Sequence, residues 1–334
     1  MNGDLPWRER PLTVLAVGGN ALLPTGSLGT LEEQWRAVRA TAEQVARLAA
    51  SGRRLVVTHG NGPQVGLALR RAALAEPELP ALTMDVAVAH TQGEIGYALA
   101  RSIADALPAL GGHRPVVALI SQVLVDPADP AFEAPDKPIG GFLTEAEAAR
   151  LGAQRGWRFA RLAPGPRGWR RVVASPEPLA ILEIASIRDL VDAGTVVVAG
   201  GGGGIPVARG RDLMAGVAAV VDKDLVSALI ARELGADLLL IATAVERVAL
   251  DYGLPEQRWL DRLTVGEAAG HLAAGQFPAG SMGPKIAAAL RFVRDSGARA
   301  VITDLDHLGD AWQGQAGTQL VPDGMIESEV EARP

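Results

Sequence analysis

The chain has 334 residues, a formal net charge of −6 and 48% hydrophobic residues, enough to bury one large core or two ordinary ones. Its acidity argues against a general nucleic-acid binder, which is normally basic over a contiguous face. The absence of cysteine excludes disulfides, thiolate catalysis and cysteine-based metal sites. The opening stretch MNGDLPWRERPL lacks a signal-type apolar core and no 18-residue apolar run follows, so we expect a cytoplasmic protein that has no membrane partner.

Strand-like apolar runs alternate with helical patterns along the chain. In order, the runs are LTVLAVGG, RRLVVTHGNG, PVVALIS, TVVVAGGG, ADLLLIATAV and ARAVITDL. Continuous apolar runs are typical of strands that are covered on both faces, as in a parallel sheet. Together with the intervening helices they predict an α/β fold, a three-layer α/β/α sandwich around a mostly parallel central sheet.

The predicted helices carry clear start and stop signals. Thr30 and Glu33 form a capping-box pattern before the first helix, and Gly52 follows its end. The helices within SIRDLVDAGT, DKDLVSALIARELGA and SMGPKIAAALRFVRDSGA are likewise each closed by a glycine before the next strand.

One segment, residues 123–172, interrupts this alternation. It is rich in proline, glycine and arginine, and its one clear helix begins at the pair Thr144 and Glu147. We interpret it as a small protruding subdomain or lid, inserted in a single domain that spans residues 1–334.

Glycines follow three of the predicted strands. They are Gly18 and Gly19, then Gly60 and Gly62, then the five glycines of residues 200–204. In open parallel sheets ligands bind beyond the carboxyl ends of the strands, where glycine lets backbone N–H groups approach an anion. One such junction is usually a tight turn, but three of them, two carrying asparagine (Asn20 and Asn61), favour a polyanion site. Neither G-x-x-x-x-G-K-[ST] nor G-x-G-x-x-G with a suitably spaced acidic residue occurs, which disfavours P-loop enzymes and Rossmann dehydrogenases.

The chain contains only three lysines, Lys137, Lys223 and Lys285. Lys223 stands at a predicted helix start, and Lys285 follows Pro284, a residue type that prefers the first helical position. A cation at a helix N-terminus opposes the helix dipole by about 0.3–1 kcal/mol, so this placement suggests a bound anion. Alternatively, the flanking Asp222 and Asp224 pair with Lys223 locally.

Taken together, these stretches resemble the carbamate kinases of the amino-acid-kinase superfamily. The matching motifs are VGGNALL, THGNGPQVGLAL, TQGEIGYAL, SQVLVDPADPAF, KPIG, RRVVASPEP, AGGGGGIPV, VDKDL and GSMGPK, in that family's order over roughly residues 12–322. The resemblance implies an acetylglutamate-kinase-like sandwich that forms a homodimer. It also implies reversible phosphoryl transfer between ATP and carbamate with Mg²⁺ on the nucleotide, run in cells from ADP and carbamoyl phosphate toward ATP, in arginine catabolism.

The same resemblance implies roles for individual residues. Lys223 and Lys285 neutralise the moving phosphoryl group, Asp222 orients the lysines, and Lys137 reaches over the transferred group from the protruding segment. Phosphate and substrate contacts are implied for Gly18, Gly19, Asn20, Gly60, Asn61, Gly201, Gly202 and Gly203, and nucleotide contacts for Thr243, Tyr252, Met282 and Gly283. The resemblance implies no metal ligand from the protein, because Mg²⁺ is held through the nucleotide phosphates.

The chemistry suits the composition. Phosphoryl transfer is mostly positioning and charge neutralisation, and carbamate is already an anion, so no general base is needed. We therefore expect His59, within THGNGP, to shape its loop through a hydrogen bond rather than to act as an acid or base.

The nucleotide-side motif departs from the family. Where the family tends to show TDVDxVYxxY, this chain reads TAVERVALDY, with Ala244, Glu246 and Ala249 at the altered positions and Tyr252 kept. An alanine in place of a ring forfeits stacking area, which leaves nucleotide affinity open while catalysis is expected to be retained. Two alternatives follow: a nucleotide- or metabolite-binding regulator with weak turnover, or a kinase of another small carboxylate.

Overall fold

The structure is a computed structural model that describes residues 5–23, 30–76, 78–210, 213–278 and 280–325. The helices of these residues are α1 (Leu31–Ala50), α2 (Gly62–Ala75), α3 (Met84–Ala106), α4 (Glu145–Arg155), α5 (Ile184–Asp192), α6 (Lys223–Leu234), α7 (Val265–Ala273), α8 (Met282–Ser296) and α9 (Leu308–Ala311). The strands are β1 (Leu12–Val17), β2 (Arg54–His59), β3 (Val116–Ala118), β4 (Gln122–Leu124), β5 (Lys137–Leu143), β6 (Arg158–Arg161), β7 (Trp169–Val173), β8 (Ala180–Ile181), β9 (Val196–Val198), β10 (Ile205–Arg209), β11 (Met214–Gly216), β12 (Leu238–Thr243), β13 (Val248–Leu250), β14 (Arg258–Leu260), β15 (Arg262–Thr264), β16 (Arg299–Asp304) and β17 (Thr318–Val321).

The central sheet has eight strands in the order β15-β17-β16-β12-β1-β2-β9-β3. All six strands predicted from apolar runs lie in it, and every neighbouring pair is parallel except β16 and β17. The mostly parallel sheet is therefore confirmed. The short strands β15 and β17 extend it at one edge and were not predicted.

Helices cover both faces of this sheet, as the central strand β1 illustrates. Leu15 and Val17 pack in a core with α1 and α3, whereas Val14 and Ala16 pack in a second core with α6 and α8. Every residue of β1 is buried, which explains why its sequence is apolar except for Thr13 rather than alternating. The structure thus has the expected three layers. Among its described helices, none combines the length and apolar composition that a bilayer span requires.

The predicted helix signals have the expected geometry. The Thr30 side chain accepts from the Glu33 backbone and the Glu33 carboxylate accepts from the Thr30 backbone, which completes a capping box on α1. Gly235 and Gly297 adopt left-handed conformations that end α6 and α8.

The segment between the first and second halves of the sheet forms two separate structures. At its start, β4 pairs with β10 in a second sheet ordered β11-β10-β4-β8. From Lys137 onward, β5, β7 and β6 form a three-stranded antiparallel sheet that packs with α4. Thr144 and Glu147 cap α4 as their spacing predicts. We call residues 137–173 the small sheet.

The five-glycine run 200–204 follows β9 and turns the chain back sharply. All of its members except Gly201 have a φ angle between +65° and +85°, which side chains rarely adopt. A side chain on Gly201 would overlap the ring of His59, and one on Gly203 would overlap the backbone of Val221. The run is therefore required by left-handed turns and by close packing behind the loop.

Candidate active site

A cavity of about 630 Å³ lies at the carboxyl ends of β16, β12, β1 and β2 and reaches the glycine run after β9. The N-terminal turns of α2, α6 and α8 also border it, so their backbone dipoles add positive potential there. Ten of the predicted site residues line the cavity. They are Gly18, Gly19, Gly60, Asn61, Lys137, Gly202, Asp222, Lys223, Thr243 and Lys285.

Other predicted residues lie elsewhere. Gly201 and Gly203 pack behind the cavity wall, as described above. Met282 and Gly283 form the first turn of α8, which begins two residues earlier than expected, so that Pro284 is its third residue. Tyr252 does not border the cavity: its ring is exposed and lies edge-on to Trp259, with 6.2 Å between centroids. Asn20 follows Gly19, and its side chain is outside the described part of the structure.

The three lysines meet on two carboxylates at the first turn of α6. Lys137 pairs with Asp222, while Lys223 and Lys285 both pair with Asp224, at 3.1 Å between Lys285 Nζ and Asp224 Oδ2. Asp222 thus contacts Lys137, whereas Asp224 contacts Lys223 and Lys285, and the role of Asp222 in orienting the lysines stays a prediction. Asp222 is the N-cap of α6: its Oδ1 accepts from the Asp224 backbone N–H at 2.8 Å, which leaves its other oxygen for Lys137.

Burial and charge compete in this cluster. Burial opposes ionisation of the Asp224 carboxyl, but Lys223 and Lys285 outweigh it and hold its pKa well below the usual value. Burial lowers the pKa of Lys223. The Asp224 charge opposes this by raising the pKa, and the Lys285 charge lowers it further. Three ammonium groups face two carboxylates, so the cluster carries excess positive charge and is suited to an anion.

Two residues of α3 that were not predicted to belong to the site support it from behind. Thr91 donates its hydroxyl proton to the Val88 carbonyl at 2.8 Å, so it accepts the 2.8 Å hydrogen bond from the Asn61 amide nitrogen. This fixes the orientation of the Asn61 amide. Its Oδ1 makes no hydrogen bond among the described residues, and Asn61 borders the cavity.

Gln92, the next residue, holds the glycine run. Its amide nitrogen donates to the carbonyls of Ser121 (3.0 Å) and Gly201 (2.9 Å), and its oxygen accepts from the Ser121 N–H at 2.9 Å. Ser121 in turn accepts from the Gly200 N–H through its hydroxyl at 2.7 Å. The motif TQGEIGY contains Thr91 and Gln92, but their sequence alone gives no sign of these partners.

His59 is fully buried beside Lys223. Its Nδ1 lies 3.1 Å from the Gly60 carbonyl, and since a carbonyl only accepts, Nδ1 carries the proton and Nε2 is bare. Burial lowers the pKa of His59 to about 4, with a further contribution from the Lys223 charge. A neutral ring that holds Gly60 and packs against Gly201 agrees with a role in shaping the loop.

Thr243 and Ala244 line the cavity together with Asp304 and Asp306, and Thr243 is the register partner of Asp304 on the neighbouring strand. Of the altered motif positions, only Ala244 borders the cavity. Ala249 is buried in β13, and Glu246 pairs with Arg247 at 3.1 Å. A larger side chain at position 249 would therefore not add contact area inside the cavity.

Comparisons with known proteins show the family of this chain. A sequence model described as the amino acid kinase family matches residues 11–304, and the chain belongs to that family. Within it, a carbamate kinase of Thermococcus kodakarensis is 45% identical over 311 residues, which are 92% of this chain and 98% of that protein. YqeA, a carbamate kinase-like protein of Escherichia coli, is 46% identical with the same coverage. The structure of Giardia lamblia carbamate kinase bound to AMP-PNP superimposes with a TM-score of 0.87 at 36% identity, covering 95% of this chain and all of that one. The resemblance stated from the motifs, and its fold class, are confirmed.

We expect Asp224→Asn to lower the free energy of unfolding by about 3–5 kcal/mol, because it leaves two buried ammonium groups without their partner. Chemical denaturation at pH 7 measures this loss. Asp105→Asn is the matched control, since its 3.8 Å pair with Arg101 is exposed to solvent and contributes little to stability. Equal losses in the two variants would contradict the proposed arrangement of charges.

We expect the buried His59 to make the fold sensitive to mild acid. Its pKa falls from the usual 6.5 to about 4 on folding, so the unfolded chain binds the proton first. The free energy of unfolding should therefore decrease between pH 6.5 and 4, by up to about 3 kcal/mol from this group. His59→Gln should remove that part of the decrease, whereas His113→Gln, at an exposed position, controls for loss of a histidine. A His59→Gln curve parallel to the wild-type curve would refute the assignment.

Proposed function

We propose that this protein is a carbamate kinase, transferring a phosphoryl group between ATP and carbamate, and running in cells from ADP and carbamoyl phosphate toward ATP. The observation that carries the proposal is the convergence of all three lysines, 148 positions apart at the extremes, on one wall of the cavity. The relatives named carbamate kinase support the choice of substrate.

The transfer breaks the bond between phosphorus and the carbamoyl oxygen as an oxygen of the ADP β-phosphate bonds to phosphorus. Carbamate leaves as an anion, so no side chain needs to supply a proton. In this proposal Lys137, Lys223 and Lys285 neutralise the charge on the transferred group, and the backbone N–H groups near Gly19 and Gly60 approach its oxygens. Neutral His59 is consistent with this chemistry.

The orientation of Asn61 supports a small acceptor that carries nitrogen. Because the amide nitrogen of Asn61 donates to the Thr91 hydroxyl, the amide oxygen Oδ1 of Asn61 is left to accept an N–H from carbamate. Acetate and similar carboxylates lack that donor. This favours carbamate over the alternative of another small carboxylate.

The nucleotide occupies the end of the cavity at Thr243 and Ala244 in this proposal. AMP-PNP in the Giardia enzyme supports an adenine nucleotide.

Mg²⁺ fits as a nucleotide-bound ion, because Asp222 and Asp224 already pair with lysines. The described residues also contain no group of three or more acidic or histidine side chains placed to hold a metal. When bound, the ion neutralises phosphate charge.

Several finer assignments stay predictions. They are the nucleotide contacts of Tyr252, Met282 and Gly283, the role in arginine catabolism, and a cytoplasmic location, which suits an enzyme that uses ADP.

The decisive assay is ATP formation from ADP, Mg²⁺ and carbamoyl phosphate. We expect turnover by the wild-type protein and a loss of at least about a hundredfold in Lys223→Ala, with wild-type turnover in Arg71→Ala at an exposed site on α2. Unchanged turnover in Lys223→Ala would refute the mechanism. Thermal stabilisation by both substrates without turnover would indicate a binding protein instead.

We also propose a homodimer that forms at the β3 edge of the central sheet. This edge strand ends at Ala118, and Ile120 beyond it is 46% exposed. Sedimentation equilibrium should give twice the 34.7 kDa of one chain. Ile120→Arg should shift the mass toward a single chain, whereas Leu74→Arg, on the exposed face of α2, should leave it unchanged. A wild-type mass of one chain would exclude the dimer.

A further inference from the structure

Lys137 reaches the cavity from outside the central sheet. It is the first residue of β5, in the small sheet, yet it pairs with Asp222 at the start of α6. Its position therefore depends on how the small sheet is held against the rest of the molecule.

The contact that holds β5 is a crossing of two backbones at Gly66 and Gly140. A side chain on Gly66, in the second turn of α2, would overlap the N and Cα atoms of Gly140 and lie 3.1 Å from the Ile139 carbonyl carbon. Gly140 itself has a φ of +69°, and its Cβ would lie 3.4 Å from the Gly66 Cα. Glycine is thus needed on both sides of the crossing.

Polar contacts join the same two units further along α2. Arg155, at the end of α4, donates to the Ala73 carbonyl at 2.7 Å and pairs with Glu76. Arg70 lies 3.7 Å from Glu147. The crossing is therefore one point on a continuous docking surface between α2 and the small sheet.

Helix α2 connects this docking surface to the cavity. It begins at Gly62, immediately after Gly60 and Asn61, which line the cavity. Gly140 lies three residues after Lys137 on the same strand. A shift at the crossing would consequently move Lys137 relative to the loop that carries Asn61.

We propose that Gly66 is a positioning residue for Lys137: its contact with Gly140 sets the distance between β5 and α2 and so places the ammonium group over the transferred phosphoryl group. Glycine inside a helix lowers helix stability, and the close approach of β5 accounts for its presence here. The proposal rests on the proposed function for its kinetic readout.

The test is Gly66→Ala, with two matched controls. Gly93→Ala is also inside a helix, and Gly141→Ala is also on β5, but a side chain at either position meets no other atom within 4 Å. We expect kcat for ATP formation to fall at least about tenfold in Gly66→Ala, as a displacement near 1 Å at a reacting group can do, and to stay within twofold in both controls. Wild-type kcat in Gly66→Ala would overturn the proposal and leave the proposed function intact.

A double-mutant cycle separates positioning from general damage. In a Lys137→Ala background, adding Gly66→Ala should change kcat by less than twofold, because the group that it displaces is gone. A full tenfold loss in that background would mean a merely structural role and overturn the proposal.

If Gly66→Ala does not fold, Arg155→Met is the second variant, because it loosens the same docking surface without a clash. We expect it to lose about threefold in kcat, and we expect that loss to disappear in the Lys137→Ala background. A persistent loss would again overturn it.

A measurement without turnover gives an independent answer. Hydrogen exchange of the β5 backbone amides, at Lys137 and residues 139–143, should speed up in Gly66→Ala and not in Gly93→Ala. Unchanged exchange in β5 would overturn the proposal. Absence of ATP formation by the wild-type protein would refute the function instead.

Discussion

The attraction between two carboxylates and three ammonium groups at the start of α6 is the interaction on which the site depends. Without Asp222 and Asp224, lysines from α6, α8 and the small sheet would repel one another in a buried space. The two carboxylates do not cancel the positive charge completely. The cluster is stable in the free protein and still attracts an anion.

The charged front of the cavity has an uncharged support. Asn61, Thr91, Gln92 and Ser121 are buried and hydrogen-bonded to one another or to the backbone of the glycine loops. Glycine supplies backbone freedom but no side chain to hold a loop in place. The side chains of Thr91 and Gln92 on α3 therefore hold these loops in place through hydrogen bonds. Hydroxyl and amide groups of this kind do not titrate near neutral pH.

Sequence patterns predict the parts of this molecule that depend on local chemistry. The six predicted strands of the central sheet follow from apolar runs, and the helix ends from glycine. Strands β15 and β17 were missed because their residues, RLT and TQLV, mix polar with apolar side chains, whereas the equally short β3 and β9 lie within continuous apolar runs. The roles of Asp222 and Asp224 differ because one caps α6 and the other lies inside its first turn, a difference of two residues that spacing does not resolve. Gln92 was missed because its partners lie 29 and 109 positions away.

The confinement of lysine to the cavity has a chemical consequence. Arginine carries positive charge everywhere else, and its guanidinium group stays protonated and unreactive toward amine-selective reagents. Apart from the α-amino terminus, amine-selective reagents therefore find their targets only where Lys137, Lys223 and Lys285 meet. Covalent labelling of lysine side chains therefore reports on one location in this protein.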